Sequence, residues 1–207
     1  MAERVAIVDY GLCNLDSIAR AIEEVGGEAV VTDQADEIIA ATRVIIPGVG
    51  AFPDAMRNLR KLGLDRVLTE RVRDEGIPLL GVCLGMQILA ELGTEVETCQ
   101  GLGWIPGAVR RFVPVAGERI PHVGWNEVHH AGHPLFDGVR PGCDFYFVHS
   151  FRFHPTEPSD AVATTPYCGG FPSVVACGAV VGVQFHPEKS QKAGFQVLTN
   201  FLRWDGR

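Results

Sequence analysis

The stretch Leu79-Leu80-Gly81-Val82-Cys83-Leu84-Gly85-Met86-Gln87 constrains this chain more than any other. An apolar run of strand character ends in Gly-x-Cys-x-Gly and passes directly into an apolar-periodic helix. A strand that turns at once into a helix is an elbow, and the apolar strand must lie buried in a sheet covered by helices. The turn is too tight for side chains on either side of its centre. Gly81 and Gly85 therefore stand where a Cβ would clash. Cys83 then projects from the carboxyl end of the sheet at a helix N-terminus, where the local dipole favours a thiolate.

The first half of the chain repeats this theme. Apolar runs at 5–8, 29–31, 44–46 and 79–82 read as strands. Ile18, Ile22 and Val25 fall at helical spacing before Gly26-Gly27, a short helix is expected over 36–40, and helical patterns cover 55–62 and 65–73. Such alternation predicts a three-layer α/β/α sandwich around a central, mostly parallel sheet. The second half is richer in Gly, Pro and aromatic residues. Strands are expected over 109–113, 145–148, 161–165, 174–176 and 180–185, several of them antiparallel. An amphipathic helix with Phe195, Leu198, Phe201 and Leu202 closes the chain. The segment 121–126 reads as a polar and aromatic loop, with Trp125 either core or an interface anchor. With 207 residues and no linker, repeat or low-complexity stretch, one domain over 1–207 is expected.

Several function classes are disfavoured. The net charge is -7 and no basic run exceeds Arg110-Arg111, which argues against a nucleic-acid surface. No apolar run is long enough to span a bilayer, and Met1-Ala2-Glu3-Arg4 leads straight into a strand without a secretion signal. The six cysteines have irregular spacing and no Cys-x-x-Cys pair, so free thiols in the cytoplasm are expected. His129-His130-Ala131-Gly132-His133 has metal-like spacing, but Gly132 and Pro134 deny it a helix. It reads as a solvated loop, and neither metal nor cofactor is expected.

A nucleophile needs a base. The apolar run 180–185 leads into His186-Pro187-Glu188. On an extended segment, residues two apart point the same way, so one face at the strand end carries an imidazole and a carboxylate. His186 can take the thiol proton and return it to a leaving amine, while Glu188 holds the ring in one tautomer. Pro47-Gly48-Val49-Gly50 follows the third strand and leaves backbone N–H groups to point into a crevice. With the N–H of Leu84, that turn can form an oxyanion hole. Its glycines also let the peptide before Val49 take two orientations, one presenting an N–H and the other a carbonyl. Phe147-Val148-His149-Ser150-Phe151 adds a His and a Ser after a strand; a satisfied core histidine is the default there.

Taken together, the elbow, the Pro-Gly-x-Gly turn and Gln184-Phe185-His186-Pro187-Glu188-Lys189-Ser190 resemble the class I glutamine amidotransferases. Within that class the chain is most similar to the glutaminase subunits of imidazole glycerol phosphate synthases, along nearly its whole length. Val49 and Met86 are the narrower marks, since the glutaminases of anthranilate and aminodeoxychorismate synthases typically carry Pro-Gly-Pro-Gly and Cys-Leu-Gly-His-Gln there. Cys13 stands where the family usually has Gly. The resemblance implies that Cys83, His186 and Glu188 are catalytic, and that Val49 and Leu84 supply the oxyanion N–H groups. It also implies that Gly50, Gln87, Glu95, His149, Ser150 and Phe151 shape a glutamine pocket. The partner it implies is a (β/α)8-barrel cyclase forming a heterodimer, for which His122, Trp125 and Asn126 are the docking candidates. The alternatives are the same chemistry serving another synthase, or a non-catalytic module on the same fold.

Overall fold

The computed structural model describes residues 2–115 and 117–206; Met1 of the N-terminal stretch lies outside them. The first half winds as β1 (Arg4–Val8), α1 (Leu15–Glu24), β2 (Glu28–Thr32), α2 (Ala35–Ala40), β3 (Arg43–Ile46), α3 (Phe52–Lys61), α4 (Leu64–Thr69) and β4 (Leu79–Val82). The elbow then leads into α5 (Leu84–Gln87), followed by β5 (Leu92–Gly93), β6 (Cys99–Gln100) and β7 (Gly107–Arg111). The rest comprises β8 (His122–His130), β9 (Cys143–His149), β10 (Phe151–Pro155), β11 (Ala161–Thr165), β12 (Phe171–Cys177), β13 (Val180–Val183) and α6 (Gln191–Arg203).

The main sheet has the order β2-β1-β3-β4-β13-β12-β11-β8-β9. β2, β1, β3, β4 and β13 pair in parallel, and the remaining strands add on antiparallel. This is the expected α/β/α sandwich, and strand alternation explains its two cores. Val5, Ile7, Ile45 and Leu80 pack on the face covered by α1 and α6. Ala6, Val8, Val44, Ile46 and Leu79 pack on the face covered by α2, α3 and α4. A strand buried on both faces has no polar side to show, which is why these runs are continuously apolar. A smaller sheet, β10-β7-β5-β6, covers one end of the second core through Val109 and Phe153.

Three expectations are corrected. The helix after the elbow is a single turn. The carbonyls of Ile88, Leu89 and Ala90 accept N–H groups from Leu102, Trp104 and Gly103, so the helical ladder cannot continue. The segment 121–126 is not a loop, because His122–His130 is a nine-residue strand paired to β9. For the same reason His129 and His130 end a strand rather than sit in a solvated loop; they pair with Glu127 and the Val139 carbonyl. Beyond these corrections, β10 adds a strand that the sequence pattern does not announce. Among the described residues no helix is long and apolar enough to cross a membrane, and no cluster of His, Cys, Asp and Glu suits a metal. All six cysteines are free.

Candidate active site

The elbow holds Cys83 in a backbone conformation that L residues rarely adopt, φ 55° and ψ -109°. It is tolerated because the neighbours over-determine it. A Cβ at Gly81 would come within 2.6 Å of the Gly85 carbonyl oxygen, and one at Gly85 would collide with the Ile46 carbonyl. The Cys83 N–H donates to the Val183 carbonyl at 2.8 Å, tying the turn to β13. Cys83 is 6% exposed and lines a cavity of about 260 Å³.

β13 stops at Val183, and His186 follows in extended backbone. Glu188, however, lies in a 3₁₀ turn over Pro187–Lys189 and not on an extended strand. The turn itself brings the carboxylate back. Glu188 Oε1 accepts from His186 Nδ1 at 2.8 Å, with both side chains only 4% exposed. Ser190 secures this turn, donating to the His186 carbonyl at 2.6 Å and accepting from the Tyr146 N–H at 3.0 Å. Burial alone would lower the imidazole pKa. The Cys83 and Glu188 side chains outweigh it and raise His186 to about 10. His186 Nε2 makes no hydrogen bond; the Cys83 thiol instead turns to the Val148 carbonyl at 3.8 Å.

The remaining wall gathers residues from distant parts of the chain. Val49, Gly50, Leu84, Gln87, Glu95, His149, Ser150 and Phe151 line the cavity together with Cys83 and His186. Glu95 also accepts the N–H of Phe52, the first residue of α3, at 2.9 Å. A carboxylate there satisfies a helix N-terminus as well as facing the cavity. Gln87 Nε2 donates to the Phe151 carbonyl at 3.2 Å and to Gln184 Oε1 at 3.0 Å. Gln184 Nε2 in turn reaches the Cys83 sulfur at 3.7 Å. Sequence reasoning does not single out Gln184 as a site residue. The signal that could have found it is a fully buried amide inside the apolar run Val-Val-Gly-Val-Gln-Phe, which must find partners.

Two expected roles do not match the positions observed. The N–H of Val49 donates to the Leu12 carbonyl at 2.8 Å and so is turned away from the cavity. Nearby, Tyr10 donates to the Pro47 carbonyl at 2.7 Å and the Cys13 thiol approaches it at 3.5 Å, so residues 10–13 grip this turn. The three docking candidates also separate. Trp125 is 47% exposed, whereas His122 is buried, because alternation along β8 sends them to opposite faces. Asn126 shares the inner face with His122.

A cysteine on a strand–turn–helix elbow, sharing a cavity with a His–Glu pair in the turn just beyond the adjacent parallel strand, places this molecule among enzymes that attack a carbonyl through sulfur. The sequence matches the family Glutamine amidotransferase class-I over residues 6–204, and the chain belongs to that family. It is 45% identical to the imidazole glycerol phosphate synthase subunit HisH of Nitrosococcus oceani, covering 98% of each chain. It is 46% identical to the subunit of the same name from Methylococcus capsulatus, covering 97% of this chain and 96% of that one. Among solved structures, PurLQS from Thermotoga maritima superposes with a TM-score of 0.73 at 20% identity, covering 98% of this chain and 99% of the other. A glutamine amidotransferase from the same organism gives a TM-score of 0.64, also at 20% identity, covering 91% and 77%. At those identities the likeness speaks for the fold alone.

Proposed function

We infer that this chain is the glutaminase subunit of an imidazole glycerol phosphate synthase, acting in histidine biosynthesis. The observation that carries the chemistry is the strained Cys83 facing the buried His186–Glu188 pair across one small cavity. The near full-length identity to HisH subunits supports the narrower assignment.

In this reading the Cys83 thiol gives its proton to His186, and the thiolate attacks the side-chain carbonyl carbon of glutamine. The anion that forms on oxygen is held by the N–H of Leu84. His186, protonated, delivers its proton to the departing ammonia, and the γ-glutamyl group remains on sulfur. His186, now neutral, takes a proton from water, and the hydroxide releases glutamate. Glu188 keeps Nδ1 protonated, so Nε2 is the nitrogen that exchanges protons with the reacting groups. Gln87, Glu95, His149, Ser150 and Phe151 position the substrate.

The second oxyanion donor is the peptide of Val49, which has to rotate away from Leu12 before it can contribute. One such donor is worth on the order of 10²–10³ in rate, enough for the rotation to gate turnover. A partner that drives it would couple ammonia release to its own reaction. We assign that partner as a (β/α)8-barrel cyclase in the cytoplasm, docking on the exposed face of Val123 and Trp125. It uses the ammonia to form imidazole glycerol phosphate and an aminoimidazole carboxamide ribotide. The test is glutamine hydrolysis by the chain alone, with the co-purified cyclase, and with the cyclase and its nucleotide ligand. Rates that rise across the three support the reading, and equal rates overturn the gating. Absence of hydrolysis in all three overturns the glutaminase assignment.

A further inference from the structure

His149 is the second imidazole of the cavity, and the catalytic scheme gives it no proton to move. Its surroundings are unusually well defined. β8 and β9 pair antiparallel with His122 directly opposite His149, and both side chains point to the inner face. His122 Nδ1 lies 2.9 Å from His149 Nε2. His149 Nδ1 lies 2.8 Å from the Phe151 carbonyl oxygen. At the other end, Asn126 Nδ2 lies 3.2 Å from His122 Nε2. Between Asn126 and His122, Gly124 takes φ +130°, a backbone conformation that L side chains rarely adopt.

Only one assignment of protons satisfies all three contacts for neutral rings. A carbonyl oxygen can only accept, so His149 Nδ1 carries a hydrogen and donates to Phe151. Its Nε2 is then a lone pair and must accept from His122 Nδ1–H. His122 Nε2 is in turn a lone pair and accepts from the Asn126 amide. The bonds run one way, from Asn126 through both imidazoles to the Phe151 carbonyl. That same carbonyl accepts from Gln87. Burial keeps both rings neutral, lowering His122 to about 4 against the opposing Glu118 carboxylate, and His149 to about 3 against the opposing hydrogen bond to the Phe151 carbonyl. Tyr167 and Phe147 stack on the two faces of His122 and hold its plane.

We propose that His122 is a positioning residue: with Asn126 it locks His149 as the Nδ1–H tautomer, occupies its only lone pair, and thereby leaves His186 as the sole base facing Cys83. This rests on the glutaminase reading for its kinetic consequence, but the tautomer pattern stands apart from it. A His149 with a free Nε2 would accept a proton or a substrate N–H, and its ring and the Phe151 carbonyl would lose their fixed orientation in the pocket.

The experiment pairs NMR on the ¹⁵N-histidine-labelled full chain with kinetics on the chain assembled with its cyclase. Two-bond ¹H–¹⁵N correlations distinguish protonated from unprotonated ring nitrogens. In the unaltered chain, Nδ1 of both His122 and His149 is expected protonated and Nε2 of both unprotonated. His122→Phe keeps a ring in the stack but removes the donor. It should shift the His149 Nε2 resonance toward that of an unbonded lone pair and raise the glutamine KM by about fivefold, the size of one neutral buried hydrogen bond, with kcat within about twofold. His122→Asn, whose amide sits near the former Nδ1, should restore most of both. A protonated His149 Nε2 in the unaltered chain overturns the proposal. So does a His122→Phe chain whose His149 resonances and KM do not move, or one rescued no better by Asn than by Leu. If no assembly hydrolyses glutamine while the tautomer pattern holds, the glutaminase reading fails and the hydrogen-bond chain survives.

Discussion

Two histidines line one cavity, and the walls that hold them push their protonation in opposite directions. His186 is raised to about 10 and His149 is lowered to about 3, although both are buried. Burial disfavours charge in both cases; the partners make the difference. His186 Nδ1 meets a buried carboxylate, and the reactive sulfur lies on its other side. His149 meets a neutral imidazole and a carbonyl. In the proposed reaction the first wall would hold a proton and hand it over, and the second would bind without exchanging one. Residue type alone does not separate a base from a ligand-shaping group.

The contrast makes graded predictions. The largest effect belongs to the first wall's reacting pair. Cys83→Ala and His186→Ala should each reduce glutamine hydrolysis by a factor on the order of 10⁴–10⁶. Synthesis supported by added ammonium salts should persist in the assembled enzyme. A glutamine-mimicking alkylator should modify Cys83 alone among the six cysteines, read by mass spectrometry. Substantial turnover by either variant would dissolve the distinction between the walls.

Glu188→Gln should cost less, on the order of 10³–10⁴, because the amide can still hold the ring but stabilises the imidazolium poorly. The same change should lower the His186 pKa from its value near 10, measured by histidine NMR titration. If Glu188→Gln were more damaging than His186→Ala, the roles would need reassigning.

Between these and the pocket substitutions lies the turn at Val49. Weakening the grip of residues 10–13 should raise hydrolysis by the chain alone, without its partner. Tyr10→Phe removes the hydroxyl that donates to the Pro47 carbonyl. A rise of up to about 10³ is the ceiling, set by one oxyanion donor. An unchanged basal rate would mean that the Tyr10 hydroxyl does not restrain the rotation, leaving it to the Leu12 carbonyl and the Cys13 thiol.

The smallest effect concerns stability against pH, where the two walls have opposite signs. A raised pKa at His186 contributes stability that is complete below its ordinary value of 6.5 and fades as pH climbs through about 10. Lowered pKa values at His122 and His149 act the other way. Their contribution is complete above 6.5 and is lost as pH falls toward about 4 and 3, because the unfolded chain gains those protons first. The thermal midpoint of Glu188→Gln should therefore approach that of the unaltered protein as pH rises toward 10. His122→Phe should lose less stability than the unaltered chain between pH 6.5 and 4. Parallel pH curves for all three proteins would refute the opposition.

The two walls also differ in how plainly they are written in the chain. Gly81, Cys83 and Gly85 follow a continuous apolar run, and His186-Pro187-Glu188 follows another. Local sterics and a double-buried strand leave such segments few alternatives, so elbow, sheet and first wall were legible. β8 was not, because its alternation is inverted. Its inner face carries His122, Gly124 and Asn126, while Val123 and Trp125 lie outside. Reading that pattern by hydrophobicity yields a loop, since the burial of polar groups inside is stabilised only by partners on another strand.

What the sequence determined by itself was therefore local and periodic: the parallel strands and their helices, the obligatory glycines of the elbow, and the spacing of the base and its carboxylate. Tertiary structure decided which lone pairs and N–H groups meet. It turned the Val49 N–H toward Leu12, folded Glu188 back through a 3₁₀ turn, and set His122 opposite His149. Hydrogen bonds depend on position within a few tenths of an ångström and on direction. Such positions arise from strand register and packing between residues far apart in the chain, which no short-range pattern encodes.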